Sequence, residues 1–337
     1  LIFALEQSTD TNSSERWARV EGGGDAVAFG DAFVNTVDRD DLIIGDASWN
    51  NGAGRVGIFQ LAQTGGDHDW NTVAVSYEAA EAGDRLGEQL AFFQGDGVYS
   101  SILMIGAPGT DAGRGAVYIL QLNAGGDSGS REVTSASYGV VTSRDYVVNA
   151  SLGGSITGWS GGDGGLFGVY GASRQQGRFG PETGEIAISP IGTIDILNTA
   201  THRYIGAGAG DRFATALATD DVDGDGLNEV MVSAPGRDTT AGNDAGTIYL
   251  LAGSLIESNF AVGDQEYEMD QASITIEGDA ERRGLGRDIT LDGRTLFASA
   301  WLAECEGEDP GSVYVFDLSS PGTFVASDAQ RVIVGEP

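Results

Sequence analysis

Residues 210–235 read GDRFATALATDDVDGDGLNEVMVSAP, and the fold is read from this stretch and its echoes along the chain. An anchor, Phe213, opens a short strand, and an acidic, glycine-bearing turn follows from Asp221 to Glu229. A continuous apolar run, Val230-Met231-Val232, then ends in Ser233-Ala234-Pro235. Two short strands about a tight turn predict a β-hairpin, and an apolar residue at every position of the second predicts burial on both faces.

The pattern recurs in a fixed order. Anchors fall at Phe29, Leu86, Leu152, Phe213 and Leu285, with spacings of 57, 66, 61 and 72 residues. Second strands are expected at Leu42 to Ala47, Leu103 to Pro108, Val169 to Ala172, Val230 to Pro235 and Leu296 to Ala300. Third strands, each led by glycine, are expected from Gly54, Gly115, Gly184, Gly246 and Gly311. A fourth, more variable strand is clearest at Val73 to Ser76 and Ser273 to Ile276. Four strands per unit of about 60 residues describe the blade of an all-β propeller.

The expected organisation is a single β-propeller domain over 1–337. It comprises a partial blade at 1–21 and repeats at 22–80, 81–148, 149–205, 206–276 and 277–337. The intact ring would have six or seven blades, five of them complete here. Leu1 to Leu5 reads as a third strand, Trp17 to Val20 as a fourth, and Arg331 to Val334 as the fourth strand of the last repeat. Two strands of the partial blade are therefore unaccounted for: this is part of a longer chain, or the ring closes irregularly, or another segment completes it. An open blade edge invites association, so the gap is expected to be filled or covered.

Composition narrows the function. Fifty acidic residues stand against 18 basic ones, all arginine, for a formal net charge of −32. Such a surface repels nucleic-acid phosphates and anionic lipid and attracts divalent cations. No run of about 18 apolar residues appears, so no membrane-spanning helix is expected. Cys305 is the only cysteine, excluding an intrachain disulfide, and the acids around it disfavour a thiolate. His68 and His202 lie in polar stretches and read as surface loop residues. No catalytic machinery is recognisable.

The chemistry sits in Asp221-Val222-Asp223-Gly224-Asp225-Gly226-Leu227-Asn228-Glu229. Alternate acids in a tight loop can aim their carboxylates at one centre, and a hard cation prefers six to eight oxygens. The expected ion is calcium, Ca2+, held by the side chains of Asp221, Asp223, Asp225 and Glu229 and the carbonyl of Leu227. The plainer alternative is a solvated acidic turn.

The anchor pairs, the acidic loop and the Gly-Ala-Pro ending together resemble the FG-GAP repeats that build the propeller of integrin α subunits. The resemblance implies calcium in the hairpin between a blade's two inner strands, and a role in extracellular adhesion or in binding a protein or glycan ligand at the cell surface. The other loops depart from the pattern. Gln94, Asp96, Val98 and Ile102 replace the acids in the second repeat, so that loop is expected to be empty. The third keeps only Asp163, the first is shortened to Asp38-Arg39-Asp40-Asp41, and the fifth collapses to Asp292-Gly293.

Two rival readings stand beside adhesion. A lectin would display aromatic rings such as Trp49, Trp70, Trp159 and Trp301, and packing between blades is the alternative for each. A structural unit of a larger surface assembly or filament would suit the partial blade.

Overall fold

In the computed structural model, each expected second and third strand is a strand, and consecutive strands form antiparallel meanders. The structure describes residues 2–5, 16–21, 33–36, 41–60, 66–70, 73–93, 101–122, 129–142, 149–162, 165–191, 202–260, 266–300 and 311–335. The chain divides into two compact units, one of residues 1–112 with 116–140, the other of residues 113–115 with 141–337.

The first unit holds β1 (Ile2–Leu5), β2 (Arg16–Glu21), β3 (Phe33–Thr36), β4 (Asp41–Asp46), β5 (Arg55–Gln60), β6 (Gly66–Asp69), β7 (Val75–Glu78), β8 (Leu90–Phe93), β9 (Ser101–Ala107), β10 (Ala116–Leu122) and β11 (Gly129–Glu132), and ends within β12 (Gly139–Thr142). Its sheets have the orders β1-β2-β6, β3-β4-β5-β7-β11 and β8-β9-β10-β12. The partial blade is thus a paired third and fourth strand, with Ile2 opposite Arg19 and Leu5 opposite Arg16.

The second unit holds β13 (Leu152–Ser160), β14 (Leu166–Ala172), β15 (Glu185–Pro190), β16 (His202–Ile205), β17 (Leu217–Asp220), β18 (Glu229–Ala234), β19 (Thr247–Leu251), β20 (Glu266–Glu268), β21 (Ile274–Glu277), β22 (Leu285–Asp292), β23 (Thr295–Ala300), β24 (Ser312–Asp317), β25 (Gly322–Val325) and β26 (Arg331–Val334). Its sheets are β13-β14-β15-β16-β20, β17-β18-β19-β21-β25 and β22-β23-β24-β26. Four-stranded meanders repeated in this way are propeller blades, and the chain has an all-β, β-propeller fold.

Burial explains the apolar runs. Val230 and Val232 of β18 face one hydrophobic cluster, with Trp159, Val169, Ile186 and Tyr204. Met231 faces another, with Ile248, Leu285, Leu296 and Tyr314. A strand packed on both faces has no solvent side, so its sequence does not alternate.

The repeat's signature residues register one blade on the next. Phe213 and Leu285 are buried anchors, 0% and 1% exposed. The Phe213 N–H bonds the Thr183 carbonyl at 3.1 Å, and the Leu285 N–H bonds the Ala245 carbonyl at 3.1 Å. Gly54, Gly115, Gly184 and Gly246, which lead third strands, each sit against the anchor of the following repeat. Gly246 has φ +88°, and a Cβ there would lie 2.4 Å from both the N and the O of Leu285. Only glycine meets both demands.

Three features were not expected. A helix, Gly253–Phe260, fills the connection from β19 to β20. The strands β6, β11, β20 and β25 run parallel to the fourth strand of the preceding blade. His202, read as a surface loop residue, lies in β16 and is 0% exposed, with its ring 6.0 Å from that of Tyr267. Its polar neighbour Arg203 is only partly buried, while His202 and Tyr204 on the other face of the strand turn inward.

Candidate metal centre

The acidic loop joins β17 to β18, and the last ladder pair, Asp220 opposite Glu229, closes its base. Val222, 3% exposed, drops into the core and fixes the loop's phase. Its odd-numbered neighbours Asp221, Asp223 and Asp225 are thereby turned outward. Gly224 and Gly226 take φ +83° and +91°, with nothing near an added Cβ, so conformation alone demands glycine there.

Backbone amides orient the carboxylates. Asp221 accepts from the N–H groups of Gly224 (2.8 Å) and Gly226 (3.2 Å). Asp223 accepts from Asp225 (3.1 Å), and Asp225 from Leu227 (2.8 Å). The result is a convergent group in which one carboxylate oxygen from each of Asp221, Asp223 and Asp225 lies within 4.8 Å of the others. Among the described residues it is the one cluster of three or more potential metal ligands.

That spacing fits a hard divalent cation. Oxygens bound at 2.3–2.6 Å to a shared calcium stand at most about 5 Å apart, and three carboxylates supply the charge such an ion prefers. Asp221, Asp223 and Asp225 are the residues that would hold it. Leu227 is on the same loop, its side chain over Gly162 and Gly253, where an added Cβ would meet it at 3.2 and 2.7 Å.

Glu229 is placed differently from the three aspartates. It is 2% exposed, and its two oxygens accept the N–H groups of Val222 (2.8 Å) and Gly253 (3.0 Å). It works as a strut from the base of the loop to the start of the Gly253–Phe260 helix. Burial pushes its carboxyl pKa up, against the pull of those two amides.

Neighbouring blades grip the loop from both sides. From the following blade, the β22–β23 turn gives the Gly293 N–H to Asp220 at 2.7 Å. Arg294 donates from Nε to the Val222 carbonyl (3.0 Å) and from Nη2 to the Asp223 carbonyl (3.1 Å). From the preceding blade, Trp159 Nε1 donates to the Asn228 carbonyl at 2.5 Å. The collapsed fifth-repeat turn, Asp292-Gly293, is therefore part of the support of the fourth-repeat loop. Sequence reasoning missed Arg294 because nothing in spacing marks an arginine 71 positions from its acceptor.

Residues 213–251 match the FG-GAP repeat. The matched FG-GAP repeat contains the acidic loop, the buried anchor Phe213 and strands β17 to β19. No curated protein matches the chain by sequence. Among solved structures it aligns with the Dos1 propeller at 12% identity and TM-score 0.46, covering 88% of this chain and 55% of that one. It aligns with the β-propeller domain of the Trilobed protease from Pyrococcus furiosus, which has an open velcro topology, at 10% identity and TM-score 0.38, covering 91% and 71%. A eukaryotic initiation factor aligns at 9% identity and TM-score 0.34, covering 90% and 65%. The chain thus spans about half the length of the first of these structures and under two thirds of the last.

The remaining expected site residues divide into seen and unseen. Asp38 to Asp40, Gln94, Asp96, Val98, Asp163, Trp301 and Cys305 lie outside the described residues. Ile102 is in β9. Trp159 is 0% exposed, so its ring packs between blades and is not available to a sugar. Trp49 and Trp70 flank Arg55, whose guanidinium carbon is 5.2 and 3.7 Å from their ring centroids. Arg55 in turn bonds the buried Asp46 at 3.1 and 3.0 Å. No described helix is long and apolar enough to cross a membrane.

Proposed function

We propose that this chain is a calcium-braced binding module that acts outside the cell and recognises a protein or glycan ligand, without catalysis. The observation that carries the reading is the convergence of Asp221, Asp223 and Asp225 within 4.8 Å, in a loop held by the blades on either side. When bound, calcium supplies neutralisation of three like charges that otherwise repel. The chain's own residues do the rest. Asx-type bonds hold the carboxylates in place, Glu229 anchors the base of the loop, and Arg294 and Trp159 tie it to its neighbours.

In this reading the ion is structural, and ligand recognition belongs to the loops at the blade rims, which vary without disturbing the strands. The FG-GAP match supports the calcium hairpin and the extracellular setting. A net charge of −32 supports cation binding and argues against nucleic acid and anionic membrane as ligands.

The test is a binding screen of the purified chain against glycan and surface-protein arrays, run in millimolar calcium and in chelator. Calcium-dependent capture of a defined protein or sugar supports the proposal. Equal binding profiles with and without calcium, or turnover of a captured substrate, would overturn it.

A further inference from the structure

The Gly253–Phe260 helix, eight residues long, is longer than any other helix among the described residues. It spans two blades. At its start it is pressed onto the acidic loop: the Gly253 N–H bonds Glu229 at 3.0 Å, and a Cβ on Gly253 would lie 2.7 Å from both the Asn228 carbonyl oxygen and the Leu227 Cβ. Near its end Asn259, 8% exposed, donates from Nδ2 to the Tyr204 hydroxyl of β16 at 2.9 Å. Between these points Ile256 is 0% exposed, in the cluster that holds Trp159 and Tyr204, so one face of the helix lies on the preceding blade.

Glu257 reaches the β13–β14 hairpin of that preceding blade, where its Oε1 accepts the Gly162 N–H at 2.5 Å. A Cβ on Gly162 would lie 2.9 Å from that oxygen and 3.2 Å from Cδ2 of Leu227, so the hairpin backbone is held between the helix and the acidic loop. Trp159, at the base of the same hairpin, holds the Asn228 carbonyl. A closed ring of contacts results: Glu229 to Gly253, along one turn of helix to Glu257, across to Gly162, and back through Leu227 to the loop. The hairpin has little of its own to order it. Residues 160–165 read SGGDGG, with four glycines, whose backbone loses the most freedom on ordering, and one acid where the β17–β18 loop has a converging triad. Across the turn, the Gly161 N–H bonds the Gly165 carbonyl at 3.0 Å.

We propose that this helix is a coupling element, through which a cation in the acidic loop orders the β13–β14 hairpin of the preceding blade. That hairpin is a rim loop of the kind to which ligand recognition is assigned, and the coupling presupposes the calcium reading of the acidic loop. The residues that converge on a cation, Asp221 to Asp225, lead directly into Leu227 and Glu229, so fixing the loop fixes both points at which the ring grips it. Coupling between two sites is reciprocal: a change that frees the hairpin from the helix weakens cation binding by the factor with which the cation orders the hairpin.

The experiment measures amide exchange of the full chain by mass spectrometry, in calcium and in chelator, together with a calcium titration. In the native chain calcium is expected to slow exchange at residues 221–229 and also at 159–162. In Glu257→Ala the slowing at 221–229 is expected to persist and that at 159–162 to disappear, with calcium affinity weakened about two- to thirtyfold. Glu257→Gln keeps the accepting oxygen and is expected to behave as the native chain. Leu227→Ala removes the other half of the grip on Gly162 and is expected to behave as Glu257→Ala. Slowing confined to 221–229 in the native chain, slowing at 159–162 that survives both alanine variants, or an unchanged calcium affinity in both would overturn the coupling and leave the calcium reading standing. Calcium without effect on 221–229 in the native chain would overturn both.

Discussion

Replacing Gly246 by alanine tests how the blades are registered, and Gly210→Ala supplies the control. Both glycines take similar backbone angles, φ +88° and +82°, but an added Cβ at Gly246 lies 2.4 Å from Leu285 N and O, whereas at Gly210 nothing lies within 4 Å. The shared term is the left-handed conformation, which costs an alanine about 1–2 kcal/mol, reduced by about 0.4–1 kcal/mol from the stiffer unfolded chain. Gly246→Ala adds a steric term. Favourable carbon contacts sit near 3.5–4.0 Å, so the Leu285 backbone must retreat by roughly 1 Å, and overpacking of that kind costs about 1–3 kcal/mol. The expected losses are about 0.5–1.5 kcal/mol for Gly210→Ala and about 2–4 kcal/mol for Gly246→Ala. At about 2–4 °C per kcal/mol for a unit of this size, the latter is a fall of roughly 4–15 °C in melting temperature. Urea titration of both variants, followed by fluorescence, reads the difference directly. Losses within about 0.5 kcal/mol of each other would refute the claim that backbone contact between Gly246 and the Leu285 anchor registers the blades.

Three further predictions follow from named contacts. Glu229→Gln is expected to destabilise by about 1–3 kcal/mol, because one amide hydrogen of the new side chain must face the N–H of either Val222 or Gly253; an unchanged urea midpoint would show that the strut is idle. Arg294→Ala should speed amide exchange across residues 221–227 by loosening the Val222 and Asp223 carbonyls, with exchange in β14 and β15 as an internal reference; uniform rates would contradict the grip from the following blade. Asp211 is 3% exposed, and burial raises its pKa despite the partners Arg237 (3.2 Å) and Ala207 N–H (3.1 Å). A raised folded pKa means the folded state holds the proton more tightly. The stability of the native chain relative to Asp211→Asn is therefore greatest below the unfolded carboxyl pKa of about 3.9 and falls as pH rises through the folded value. Paired denaturation curves between about pH 4 and 7 check the sign, and a difference that grows with pH would refute it.

The parts of the fold legible in the sequence were those fixed by local pattern. Val230-Met231-Val232 declares a strand packed on both faces, and the recurrence of such runs after buried anchors gives the blade. The aspartate triad was legible for the same reason, since alternation in a tight turn fixes which side chains converge. What escaped depends on partners distant in sequence. The parallel strands β6, β11, β20 and β25 are only three or four residues long, and polar in Gly-Asp-His-Asp and Gly-Ser-Arg-Glu, so they lack an apolar period. Their strand character comes from the neighbouring blade. Glu229 read as a fourth acid of the loop; its place at the start of β18, with the Gly253 amide 24 positions away, turns it inward instead. Of the two alternatives that the sequence left for Trp159, the structure takes packing between blades, whereas His202 was misjudged from a polar stretch because burial is decided by the face of the strand it occupies.

The central claim is that the Asp221–Asp225 loop binds calcium and that the ion braces the fold. Its most direct test is the melting temperature of the native chain and of Asp223→Ala, each with 10 mM calcium and with chelator. Extracellular calcium modules have dissociation constants of about 10⁻⁴ to 10⁻³ M. At 10 mM this is about a ten- to hundredfold excess, so the ion adds about 1.4–2.7 kcal/mol. The account predicts a calcium-dependent rise of roughly 3–10 °C in the native chain and none in Asp223→Ala. An equal rise in both proteins, or none in either, would contradict it.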